Sequence, residues 1–146
     1  MSAQRARAPV HVLLIEDDPN DARLTIRALE RTRIGHHVHV ATDGTQALAY
    51  LRRRGVHADA PRPDLILLDL RIPKIDGRAL LGAIKHDAEL QAIPVIVLSS
   101  ATADAEVLHS YRLNANAFVA KPVDAQGLEK VLGWIERFWL ETVRLP

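Results

Sequence analysis

The chain has no cysteine. That single absence excludes a disulfide scaffold, a thiolate metal site and a cysteine nucleophile together, and it fits a reducing compartment. Net charge is equally scarce: 19 Lys and Arg stand against 18 Asp and Glu, leaving +1. A balance this close to zero provides no electrostatic footprint for nucleic acid or an anionic membrane. Aromatic residues make up 4% of the chain, too few for a base-stacking platform. Long apolar runs are missing as well, because Val95-Ile96-Val97-Leu98 falls far short of a membrane span. Residues 1–9 carry two Arg without the apolar stretch of a secretory signal, and they read as a flexible arm. What is present is ordinary for a globular protein, 48% hydrophobic and 25% charged over 146 residues. Residues 10–146 are therefore expected to form one soluble, cytoplasmic domain.

Apolar runs of strand length recur, with helical patterns between them. Val10 to Ile15 is the first run, Val38 to Ala41 the second and Leu65 to Leu68 the third. Val95 to Leu98 and Ala117 to Ala120 follow as the fourth and fifth. The third and fourth are continuously apolar, as strands covered on both faces are. Helical patterns occupy Asp21 to Thr32, Thr45 to Arg54, Arg78 to His86 and Ala103 to Leu113, with apolar positions three or four apart such as Leu24, Ala28 and Leu29. The longest and most amphipathic pattern is Asp124 to Thr142. Pro19 sits where a helix begins, Asp43-Gly44 and Asp76-Gly77 are turn pairs before helices, and residues 55–63 read as a loop. Five alternations of strand and helix predict a doubly wound α/β fold, a parallel sheet with helices on both sides.

In such a sheet function collects beyond the carboxyl ends of the strands, at the point where strand order reverses. Glu16-Asp17-Asp18 follow the first run, Asp69 the third, Ser99-Ser100 the fourth and Lys121 the fifth. The first turn is acidic where a nucleotide-binding fold would carry glycines. Carboxylates gathered at one edge either hold a divalent cation or raise one another's pKa. Oxygen ligands without His or Cys favour a hard ion that keeps its waters, which points to Mg2+. A Lys and a Ser on the same crevice can hold a tetrahedral anion against that metal, so the set describes a site that handles a phosphoryl group. Asp18, beside Pro19, reads as a helix cap. The seven His read as solvent-facing or edge residues, since a metal site would need two on one face beside an acid.

These residues resemble the receiver domains of two-component response regulators. The markers are Leu14-Ile15-Glu16-Asp17-Asp18, Asp64 through Asp69 to Pro73, Asp76-Gly77, Pro94 through Ser99-Ser100, and Lys121-Pro122. The resemblance implies a flavodoxin-like (βα)5 fold with strand order 2-1-3-4-5. It implies Asp69 as phosphoacceptor, with Glu16, Asp17, Asp69 and the backbone carbonyl of Arg71 holding Mg2+. It implies Ser99 as the switch hydroxyl, Lys121 as the phosphate-sensing amine and Phe118 as the aromatic that changes rotamer. Ser100 stands where relatives often have Ala, and Phe118 where some have Tyr; neither removes a reacting group.

The ending from Phe138 to Pro146, with Glu16-Asp17 in place of two Asp, looks like stand-alone receivers that accompany phytochrome-type histidine kinases. It implies no DNA-binding or enzymatic output domain, and a sensor histidine kinase as partner. Relatives with this ending commonly form symmetric homodimers through the fourth helix, fifth strand and fifth helix. Trp134 lies just beyond the apolar stripe of Leu128, Val131, Leu132, Ile135, Phe138 and Trp139, where it either folds back onto the flank of the core or joins an apolar patch on that face with Tyr111. Two alternatives are weaker. An aspartyl-phosphate phosphohydrolase of the haloacid-dehalogenase type needs a second Asp two residues past the nucleophile, where Arg71 stands. A degenerate receiver that only binds partners would have lost the acceptor, the acidic pair or the lysine.

Overall fold

The structure, a computed structural model, describes residues 10–32, 36–99, 117–121 and 123–138, with backbone alone for residues 36, 99, 118, 120 and 134–138. Within them the elements are β1 (Val10–Ile15), α1 (Pro19–Glu30), β2 (His36–Ala41), α2 (Gly44–Leu51), β3 (Leu65–Asp69), α3 (Gly77–Lys85), β4 (Val95–Ser99), β5 (Ala117–Ala120) and α4 (Ala125–Phe138). The N-terminal arm, the helix expected over 103–113 and the chain beyond 138 lie outside the described residues.

The strands form one parallel sheet of order β2-β1-β3-β4-β5, the order the resemblance implied. Strand alternation divides the apolar runs between two cores. Leu13, Ile15, Ile66, Leu68, Val95 and Val97 pack against α2 and α3 through Ala47, Tyr50, Leu51, Leu80 and Ile84. Val12, Leu14, Leu65, Leu67, Ile96 and Leu98 face the other way, onto Ala22, Ala28 and Leu29 of α1 and Leu128 and Leu132 of α4. Every residue of β3 is buried for that reason. The reversal of strand order falls between β1 and β3, which places the ends of those strands side by side.

Helix starts follow from their caps. Asp18 Oδ1 accepts the Asn20 and Asp21 amides at 2.8 and 3.3 Å, as its place before Pro19 suggests. Asp76 Oδ1 accepts the Arg78 amide at 2.8 Å, and Asp124 Oδ1 accepts that of Gly127 at 2.6 Å. Asp43 is buried at the start of α2, where Oδ1 accepts the Thr45 hydroxyl at 2.6 Å and the Gln46 amide at 2.8 Å. Those two hydrogen bonds, Thr45 first, and the nearby Lys74 hold the Asp43 carboxyl below its ordinary value against the opposing effect of burial. Asp43→Ala is expected to lower stability by about 1–2 kcal/mol at neutral pH, as cap removal does. A depressed carboxylate contributes stability above its unfolded pKa and loses it as pH falls through the folded value. The difference between variant and parent in urea unfolding should therefore shrink in acid, and an undiminished difference would contradict the cap.

Two expectations need correction. Leu24 is 42% exposed, not a core residue. The buried stripe of α1 is Ala22, Thr25, Ala28 and Leu29, and Leu24 lies about 100° around the helix from Thr25. The loop after α2 contains a 3-10 turn at Gly55–His57. His39 lies on the edge strand β2, within the solvent-facing or edge expectation, with its ring half-buried and stacked on Tyr50 at a centroid distance of 4.2 Å. Burial, with the charge of nearby His57, lowers its pKa.

Candidate functional site

The carboxyl ends of β1, β3 and β5 bring Glu16, Asp69 and Lys121 into direct contact. Glu16 leaves β1 with its amide donating to the Ala41 carbonyl of β2 at 2.9 Å, which turns its side chain under the crevice. It is 1% exposed and Asp69, the last residue of β3, is 6% exposed. Asp17 is exposed at the mouth. One ligand oxygen from each of Glu16, Asp17 and Asp69 lies within 4.8 Å of the others.

Lys121, immediately after β5, closes the cluster. Its Nζ is 2.7 Å from Glu16 Oε1, 2.9 Å from Asp69 Oδ2 and 3.0 Å from Asp21 Oδ2. The other oxygen of Asp69, Oδ1, accepts the backbone N–H of Arg71 at 2.9 Å. The Asp69 carboxylate is thus oriented at both oxygens, one by the chain that follows it and one by an amine 52 residues away.

Charge explains the titration of the group. Burial pushes Glu16 up to about 7, helped by hydrogen bonding to and repulsion from Asp69 and opposed by Lys121. Burial works to lower the Lys121 pKa, but the contacts with Glu16, Asp69 and Asp21 outweigh it and hold the amine above the usual lysine range. Three carboxylates share one ammonium, so negative charge stays in excess, and Glu16, the most buried of the three, is where a proton is taken up.

The loop carrying Arg71 is pinned to the neighbouring turn. The Gly44 amide donates to the Pro73 carbonyl at 3.3 Å, and Lys74 reaches Asp43 Oδ2 at 3.6 Å from a backbone with φ of 73°. A Cβ on Gly44 would sit 2.5 Å from Ile75 Cβ, so only glycine permits this approach.

The donor set suits a hard divalent cation: carboxylate oxygens alone, two buried and one open to solvent. The structure thus brings together Glu16, Asp17, Asp69 and Lys121 as the sequence pattern expected. Ser99 ends β4 opposite Ala120, at the same edge, and Phe118 pairs with Val97 in mid-strand. The side chains of Ser99 and Phe118 lie outside the described residues, as do Ser100, Tyr111 and the side chain of Trp134. Sequence reasoning missed Asp21. Its signal was positional: an acid in the first turn of the helix after β1 faces the edge where the strand-end acids gather.

A doubly wound sheet with an acidic pocket at its switch point and a lysine paired with the carboxylate that ends β3 is the arrangement of a class of phosphoryl-handling α/β domains. Residues 12–133 match the response regulator receiver domain, and the chain belongs to that family. It is 40% identical over 144 residues to response regulator Rcp1 of Synechocystis sp., covering 99% of this chain and 98% of that protein. The Mn2+-bound form of Rcp1 superposes with a TM-score of 0.75 at 42% identity over 94% of this chain and 99% of the other. The phosphorylated cyanobacterial phytochrome response regulator RcpA gives 0.77 at 44% identity, covering 95% and 99% of the two chains. The bacteriophytochrome response regulator RtBRR gives 0.83 at 37%, covering 95% and 85%. The chain is accordingly a response-regulator receiver domain related to phytochrome response regulators, in a family that binds divalent metal. Among the described residues no helix is long and apolar enough to cross a membrane.

Proposed function

We propose that this chain is a Mg2+-dependent phosphorylation switch whose acceptor is Asp69 and whose donor is a cytoplasmic sensor histidine kinase of phytochrome type. The observation that carries the reading is Asp69 itself, buried between Glu16 and Asp17 on one side and Lys121 on the other. An Asp69 carboxylate oxygen attacks the phosphorus of a kinase phosphohistidine. The new P–O bond forms as the P–N bond breaks, and the departing imidazole nitrogen recovers its electron pair. Glu16, Asp17, Asp69 and the Arg71 carbonyl would hold Mg2+, which would supply neutralisation of the charge on the transferring group. Lys121 offers its ammonium to a phosphoryl oxygen, a group positioned in advance of the charge it stabilises. The Arg71 amide keeps the carboxylate from rotating out of line. The domain assists its own modification without being a turnover enzyme.

The output is a change of surface. Ser99 turns its hydroxyl to the phosphoryl group and Phe118 fills the space vacated, which favours a homodimer through residues 103–113, β5 and α4. Support for this part comes from sequence position and from the kinship with phytochrome response regulators.

Phosphotransfer tests the reading. An autophosphorylated histidine kinase carrying labelled phosphate should pass its label to the parent in the presence of Mg2+. Asp69→Asn, which keeps the shape but is no nucleophile, should accept none while retaining its circular dichroism. Transfer to Asp69→Asn at the parental rate would remove Asp69 as acceptor.

A further inference from the structure

The three carboxylates around Lys121 are not equivalent. Glu16 and Asp69 belong, with Asp17, to the group whose ligand atoms converge for a cation. Asp21 stands apart from that group, in the first turn of α1, with Oδ2 accepting from Lys121 Nζ at 3.0 Å across 100 residues of chain. Its side chain is 35% exposed, while those of Glu16 and Asp69 are 0% and 8% exposed. A divalent cation held by Glu16, Asp17 and Asp69 repels an ammonium beside it, and phosphorylation of Asp69 moves the negative charge from that carboxylate outward to the phosphoryl oxygens. Lysine is a strongly hydrated point charge on a flexible stem, so while the cation engages those two carboxylates it is drawn to solvent before the phosphoryl group arrives. Among the described residues, Asp21 is the carboxylate partner of Lys121 that metal loading leaves untouched.

We propose that Asp21 is a positioning residue that anchors Lys121 at the site edge during phosphorylation, leaving one N–H of the ammonium directed at the phosphoryl group. This inference rests on the reading of Asp69 as acceptor. The ordinary electrostatic expectation has the opposite sign. Asp21 is a negative charge near an anion site, so its removal should on Coulombic grounds strengthen anion binding. Anchoring requires the reverse, because an unanchored lysine must be ordered anew each time.

The test is a titration of the Mg2+-saturated protein with beryllofluoride, a phosphoryl mimic, followed by fluorine NMR. Asp21→Ala should bind about fivefold more weakly than the parent, the size of a partly exposed ion pair. Asp21→Glu, which keeps the charge, should recover most of the loss. The Lys121 ammonium signal in lysine-detected NMR of the Mg2+-loaded protein should be distinct in the parent and averaged toward that of free lysine in Asp21→Ala. Equal or tighter binding by Asp21→Ala, or no recovery by Asp21→Glu, overturns the anchor while leaving Asp69 as acceptor. A parent that binds no beryllofluoride overturns the acceptor reading and the anchor with it.

Discussion

Lys121→Ala should lose about 3 kcal/mol of stability in the metal-free protein at pH 8, the cost of stripping one partner from a buried ion pair. The lysine is the shared counter-ion of Glu16, Asp69 and Asp21. Without it two nearly buried carboxylates face each other with no positive charge between them. The loss should be smaller at pH 6, and the sign follows from Glu16. Its folded pKa, about 7, lies above the ordinary 4.5. Between those values the folded state binds the extra proton, so the stability Glu16 contributes is complete below 4.5 and lost as pH rises through about 7. Removing Lys121 takes away a lowering influence and extends that window upward, so protonation rescues the variant over a wider range. Saturating Mg2+ should return much of the lost stability at pH 8, because ligand that binds only the folded state adds to its free energy. Urea unfolding at the two pH values, with and without Mg2+, measures all of this. A variant as stable as the parent at pH 8 without metal would show that the three carboxylates do not depend on Lys121.

The second large effect is expected at Gly77, where α3 begins. A Cβ there would lie 2.4 Å from both the Cα and the carbonyl oxygen of Leu70. The obstacle is backbone, held by the Gly77 amide donating to that same carbonyl at 3.2 Å, so no side chain can swing aside. Gly77→Ala should cost about 3 kcal/mol, at the upper end of overpacking penalties. Because Leu70 directly follows Asp69, the displaced loop should also slow phosphoryl acceptance. Gly82 in the same helix is the control, since nothing lies within 4 Å of the position its Cβ would take. Gly82→Ala should raise stability by about 0.5–1 kcal/mol through helix propensity. If both variants melt alike, the close approach at Leu70 is not what requires glycine at 77.

The contrast between those glycines indicates what could be read in the chain before its structure. Asp76-Gly77 was legible as a turn before a helix because turn chemistry is local. The identity of the obstacle, a backbone seven residues earlier, was not. Continuous apolar runs in β3 and β4 revealed strands covered on both sides, since both of their faces need hydrophobic partners. Leu24 misled for a related reason: it falls in a sequence rhythm with Ala28 and Leu29 yet sits on the flank of α1, and small residues such as Ala22 and Thr25 fill the contact. Glu16, Asp69 and Lys121 were legible as a group because each follows an apolar run, and parallel strands deliver their ends to one edge. Asp21 sits inside a helix, where that rule is silent, and its partner is 100 residues away. The lysine's three-way ion pair is a tertiary fact that spacing alone does not contain.

The most direct measurement of the central claim is to trap the modified residue chemically. The Mg2+-loaded protein is treated with acetyl phosphate, reduced with borohydride and digested for mass spectrometry. Borohydride reduces an aspartyl phosphate to homoserine, so the position of the new homoserine names the acceptor. Conversion confined to Asp69, and absent when Mg2+ is withheld, is the result this account expects. Homoserine at Asp17 or Asp21, or a stable phosphoryl group on serine or histidine with Asp69 unchanged, would contradict it.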